Sequence, residues 1–192
     1  MLEGLFAQAE VGVLRDAADR IAKQERPNVT PEADGSVARM VHGAHAYEPT
    51  FDRLCRHPRL IGPATQLIGS GVYVHQSRLN YNAGHGTGGF DWHQDFSTWH
   101  KVDGLPNPRA MMIAVFLDEM DATNGPLLYI PGSQDEGLID DFEPVKDAVG
   151  NILMKLSARR LSQMVDSRGI AAAEGRAGDV LFMHCNLVHG SA

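Results

Sequence analysis

Between Gln8 and Lys23, apolar side chains return every three or four positions, at Val11, Leu14, Ala17, Ala18 and Ile21. That period is one face of a helix, so QAEVGVLRDAADRIAK is predicted as an amphipathic α-helix. Residues 24–40 break the pattern with Pro27, Pro31 and Gly35 and are predicted as loop. Helical stretches return at 49–56 and 58–69, the second stopping near Gly69. The texture changes at residue 71. GVYVHQSRLNYN, rich in Val and Tyr, predicts a strand, and GHGTGG at 84–89 a flexible loop. The apolar run AMMIAVFLD at 110–118 predicts a buried strand. Asn124–Gly125 is a turn signal, PLLYI a strand, and Pro131–Gly132 a second turn. Residues 134–169 combine an acidic loop with a helix capped by Ser157 and stopped by Gly169. This excursion between core strands is either a partial lid or a plain surface insertion. RAGDVLFMHCNLVHGSA then predicts a turn feeding a last strand.

Helices followed by short, turn-separated strands predict a mainly β protein with flanking helices, built on an antiparallel core. The 192 residues and 43% hydrophobic content suit a single domain over 1–192. A net charge of −7 without a Lys/Arg block argues against nucleic acid or an anionic membrane as partner, and points to a small-molecule substrate. No apolar run approaches the roughly 18 residues of a membrane span, and MLEGLFAQAE lacks the basic start of a secretory signal. Cys55 and Cys185 form no disulfide framework, so a cytoplasmic protein with free thiols is expected.

The candidate chemistry lies in FDWHQDFSTWH, residues 90–100. On a strand, positions i and i+2 share a face, so His93 and Asp95 would meet at one point. His189 on the last strand is the natural third ligand. Two His and one carboxylate leave open positions on Fe(II), although Zn(II) accepts the same set. H-x-D alone is a weak pattern, more often a solvated or core-satisfied pair. Histidines 42, 45, 57, 75, 85, 100 and 184 receive no role. Phe90, Trp92, Phe96 and Trp99 could form a dry aromatic wall around such a centre. Gln76, Arg78 and Asn80 share one strand face by period two; Trp99 is either a packing residue or a face for a cationic ligand.

Four segments in order, VYVHQSRLN, FDWHQDFSTWHKVDGLPNPRA, NGPLLYIPGS and HCNLVHGS, resemble the phytanoyl-CoA dioxygenase-like family of Fe(II)/2-oxoglutarate oxygenases. Within it the chain resembles ectoine hydroxylases and small amino-acid hydroxylases. The resemblance implies a double-stranded β-helix, a jelly-roll barrel. It implies His93, Asp95 and His189 as iron ligands and catalytic residues, with 2-oxoglutarate and O2 as cosubstrates. It further implies that Asn80, Phe90 and Ser191 hold 2-oxoglutarate, and that Gln76, Arg78, Thr98 and Trp99 contact the primary substrate. Related halogenases replace the carboxylate ligand by a small residue, so Asp95 implies hydroxylation.

The sequence departs from the family in places. Members carry an Arg about ten residues past the distal His that pairs with the far carboxylate of 2-oxoglutarate, whereas Ala192 stands three residues past His189. The expectation is a fragment lacking its C-terminal strand or strands, with weak turnover unless Arg78 or Arg109 substitutes. An unpaired barrel edge would favour association, most simply as a homodimer. DGLPNPRA and Gln134 lean towards free amino-acid hydroxylases, QSRLN and CNLVHGS towards the ectoine enzymes. The leading expectation is hydroxylation of a small zwitterion such as ectoine, to hydroxyectoine. The alternatives are hydroxylation of a leucine- or proline-like amino acid, a non-catalytic cupin-like metal-binding protein, and a Zn(II) hydrolase. Metal analysis of protein purified without added iron would test the last.

Overall fold

A computed structural model describes residues 1–32, 35, 37–81, 89–146 and 152–191; the predicted loop at 84–89 lies outside these except for Gly89. The chain divides into two compact units. The first comprises Met1–Thr87, Ile113–Glu119 and Arg176–Val180; the second comprises Gly88–Met112, Met120–Gly175 and Leu181–Ala192.

In the first unit, α1 (Gln8–Ala22) buries the five apolar residues that set its period. Leu14, Ala17, Ala18 and Ile21 pack with Val41, Ala44 and Phe51. A fully buried Val or Ile of this kind contributes about 1.5–3 kcal/mol. α2 (Pro49–Cys55) and α3 (Pro58–Ile68) each start on proline, whose missing N–H costs nothing in a first turn, and α3 ends on Gly69 at φ 75°. Segment 24–40 is not all loop. β1 (Val29–Pro31) and β2 (Ala38–His42) lie within or across its end and pair antiparallel, Val29 opposite Val41. Two apolar pairs suffice to zip strands too short for a period-two signal. β3 (Arg78–Asn80) adds to β2 with Leu79 opposite Val41. Among the described residues it is all that forms of the strand predicted from 71. Tyr73 is 76% exposed, so the Val/Tyr run lacks the packing that would make it a strand.

Leu2 and Val180 exchange N–H···O bonds of 2.8 and 2.9 Å, and Phe6 N–H donates to Gly178 O at 3.0 Å. The buried Asp179 carboxylate accepts from Gly4 N and Arg176 N, both at 2.7 Å. These two N–H donors, Gly4 first, hold its carboxyl below the usual carboxylate range. A depressed pKa adds stability above the unfolded value of about 3.9, and that stability drains away as pH falls through the folded value. Asp179→Asn should therefore cost about 1.5–3 kcal/mol at neutral pH and flatten the acid limb of the stability profile. Urea midpoints at about pH 7 and about pH 3 check this. An unchanged difference between the two midpoints would contradict it.

In the second unit, β5 (Leu127–Tyr129) lies between β8 (Ala171–Ala173) and β10 (His189–Ser191), all antiparallel. β6 (Phe142–Lys146) pairs with β7 (Ile152–Leu156). β4 (Met111–Val115) and β9 (Val180–His184) have residues in both units. α4 spans Asp95–Lys101. α5 (Ala158–Arg168) starts where Ser157 Oγ accepts Arg160 N–H at 3.2 Å, and stops at Gly169, φ 72°. The excursion 134–169 supplies much of this unit's core: Ile139, Leu156 and Met164 are buried with Ile130 and Val188.

The architecture is mixed helix and sheet rather than mainly β, and no closed barrel forms among the described strands. Those strands are three to five residues long and gather into small separate sheets. Within the run 110–118, β4 is half-buried rather than buried, and Phe116 alone is in the core. The last segment makes two strands, β9 and β10, because the chain turns at 185–187.

Candidate metal centre

His93 does not lie on a regular strand, and Asp95 is not on a strand at all. His93 forms isolated antiparallel bridges to His189 and to Lys155, and Asp95 is the first residue of α4. Gln94 between them is extended, φ −108° and ψ 133°, and Ser97 Oγ donates to its carbonyl at 2.6 Å to start the helix. The two side chains converge through a strand-to-helix turn, not through period-two alternation.

His93 and His189 donate N–H to each other's carbonyl, at 2.9 and 3.0 Å, as a directly opposed antiparallel pair. Their rings lie side by side, centroids 4.3 Å apart. Each Nδ1 meets a carbonyl two residues earlier: Asp91 O at 2.6 Å for His93, and Leu187 O at 3.0 Å for His189. A carbonyl only accepts, so each Nδ1 is the donor, which leaves Nε2 as the nitrogen that can serve a metal. Asp95 Oδ1 lies 3.6 Å from His93 Nε2 and 4.0 Å from His189 Nε2. One ligand atom from each residue lies within 4.8 Å of the others, and the side chains are only 7%, 12% and 7% exposed. On a six-coordinate ion with bonds of about 2.1 Å, neighbouring ligand atoms sit about 3 Å apart. Two imidazoles and a carboxylate are a donor set that fits a divalent cation.

His93 also joins the two β-layers of this unit, since its neighbour Trp92 accepts Leu156 N–H of β7 at 2.7 Å. Directly opposed residues share a face, so one row runs Glu143, Lys155, His93, His189, Tyr129. Lys155 Nζ pairs with Asp91 Oδ1 at 2.7 Å, which raises the lysine's pKa.

Residues 1–192 match the phytanoyl-CoA dioxygenase (PhyH) family. The chain belongs to this family. It is 36% identical over 200 residues to an ectoine dioxygenase of Bordetella bronchiseptica, covering 100% of this chain and 65% of that protein. It is 34% identical to an L-proline trans-4-hydroxylase of Streptomyces griseoviridis, covering 97% of this chain and 73% of that one. The crystal structure of EctD from S. alaskensis with 2-oxoglutarate and 5-hydroxyectoine superposes with a TM-score of 0.84 at 34% identity, over 99% of this chain and 64% of that one. The chain thus spans just under two thirds of the ectoine dioxygenase it matches.

Of the residues that family resemblance links to 2-oxoglutarate, Phe90 and Ser191 stand together. Phe90 N–H donates to Ser191 Oγ at 2.9 Å, and Ser191 N–H to Phe90 O at 3.0 Å. Asn80, Gln76 and Arg78 belong to the first unit and are exposed, with Arg78 donating to Gln76 Oε1 at 2.5 Å. Thr98 Oγ1 accepts Met154 N–H at 3.2 Å, docking α4 on β7. The aromatics do not form one wall. Phe96 and Trp99 pack on Cys185, whose thiol burial pushes up to about 11, while Trp92 packs on the Ile130 cluster.

Sequence reasoning missed Gln94 and Lys155. Lys155 reaches the row through the β6–β7 pairing and one bridge, which no local pattern announces. Gln94 was visible only by its position between two candidate ligands.

Proposed function

We propose that the protein is an Fe(II)- and 2-oxoglutarate-dependent hydroxylase of a small zwitterion, with ectoine as substrate and hydroxyectoine as product. One observation carries this reading: one ligand atom each from His93, Asp95 and His189 lies within 4.8 Å of the others, and both imidazoles have their Nδ1 against a backbone carbonyl. These three residues would hold the iron and leave coordination positions for small ligands. Bound iron would supply the chemistry that couples conversion of 2-oxoglutarate to succinate and CO2 with hydroxylation of an unactivated C–H bond.

The chain's own residues bind, orient and exclude water. Phe90 and Ser191 would hold 2-oxoglutarate; the roles of Asn80 for 2-oxoglutarate and of Gln76 and Arg78 for the substrate rest on family resemblance alone. Thr98 and Trp99 would set the position of α4, and so of Asp95, in addition to any substrate contact. A double-stranded β-helix is part of this reading on family resemblance alone. No helix among the described residues is long and apolar enough to cross a membrane. A cytoplasmic location and a homodimer complete the proposal, and sedimentation of the purified chain tests the second.

The match to the proline hydroxylase favours a second reading, hydroxylation of a free amino acid. A substrate panel separates the two. With Fe(II), 2-oxoglutarate and ascorbate, ectoine should trigger succinate release and gain one oxygen atom by mass spectrometry. Hydroxylation of proline or leucine but not ectoine would move the assignment to the amino-acid class. Metal binding without succinate release from any substrate would leave a non-catalytic binding protein.

A further inference from the structure

We infer that Gln94, which offers the metal no ligand, is the positioning residue that fixes the two arms of the centre against each other. The inference rests on the proposed metal site. One arm is the turn from His93 to Asp95; the other is the turn at 185–187 that leads into His189. Gln94 is 0% exposed. Its amide Nε2 donates to Asn186 O at 2.6 Å and to Gly137 O at 2.9 Å, and its Oε1 accepts Ile139 N–H at 3.1 Å. Both amide protons and the amide oxygen are thus engaged, all by backbone atoms. Asn186 precedes His189 by three residues, and Gln94 is covalently flanked by His93 and Asp95. The Asn186 side chain lends this turn less support, since its buried Oδ1 has no hydrogen-bond partner among the described residues. A single side chain therefore ties all three ligands to the 137–139 segment.

The chemistry of the amide is specific. Glutamate has the same shape and can still accept from Ile139, but it presents a carboxylate oxygen to two carbonyls where the amide presents two N–H groups. Leucine makes none of the three bonds and strands three backbone groups, two of them in buried bonds. Either change should let the 185–187 arm shift relative to the 93–95 arm. The ligands would keep their identity and lose their geometry.

The test uses the full chain and Co(II) as probe, read by its ligand-field absorption and by titration. Wild type should bind one Co(II), and Asp95→Ala should not. Failure of that pair would sink the metal site itself, and with it this inference. Given that the pair behaves as expected, Gln94→Glu and Gln94→Leu should bind Co(II) about 10- to 100-fold more weakly, with an altered absorption spectrum. Val41→Ala, in the core of the first unit, serves as a control that loses stability with Gln94 and the three ligands unchanged. It should retain wild-type affinity and spectrum. Should Gln94→Leu fail to fold, the isosteric Gln94→Glu decides. Wild-type affinity and spectrum in Gln94→Glu would overturn the inference. So would an equal weakening in Val41→Ala, which would show affinity merely following stability.

Discussion

His189→Ala is expected to abolish stoichiometric Fe(II) binding while leaving a folded chain. Changes to groups that merely support metal ligands typically cost about 10- to 100-fold in affinity, so loss of a ligand should cost more than about 100-fold. His93 and Asp95 alone would keep an imidazole and a carboxylate, a set found on many surfaces without metal. The backbone pairing of 189 with 93 uses main-chain N–H and C=O and survives the substitution. Stability should therefore fall by the lost packing of one buried ring, about 1–3 kcal/mol, rather than collapse. Anaerobic Fe(II) titration with circular dichroism of the metal-free variant reads both quantities. A folded His189→Ala chain that binds iron as tightly as wild type would remove the basis for the oxygenase reading.

How much of this was legible beforehand differs between the site and the fold. The periodicity of α1 gave the buried residues correctly, because a 3.6-residue apolar stripe is a local property. Ser157 and Gly169 marked the ends of α5 for the same reason, each satisfying helix-end groups within a few residues. The three candidate ligands were also named, but the stated reason was wrong for two of them. His93 and Asp95 converge because Gln94 turns the chain into a helix, and nothing in H-x-D distinguishes that turn from a strand. The β6–β7 pair and β8 carry weak strand signals of their own: Pro144 interrupts β6, and AAA shows no strand pattern until Leu127–Tyr129 lies beside it. Lys155 and the row it joins depend on that same pairing. Long-range register, rather than composition, decides which side chains stand beside His93.

Gly178→Ala is expected to be the most destabilising single-methyl change in the first unit. Gly178 has φ +100°, a region that costs an L-residue about 1–3 kcal/mol. A Cβ there would also lie 2.2 Å from Phe6 O and 3.3 Å from Phe6 C. Both are backbone atoms, so no rotamer change relieves the clash. Phe6 is anchored in turn: its N–H donates to Gly178 O, its ring is 3% exposed, and the Arg59 guanidinium stacks over it at 4.4 Å. Moving this segment would also strain the Leu2–Val180 pair and the Gly4–Asp179 bond. Strain and displacement together should cost about 3–5 kcal/mol, or roughly 6–20 °C in Tm at 2–4 °C per kcal/mol. Thermal unfolding of the variant measures it. Gly104→Ala, also at positive φ (+76°) but with nothing within 4 Å of its added Cβ, isolates the backbone cost from the collision. Equal losses at both positions would show that the contact with Phe6 contributes nothing.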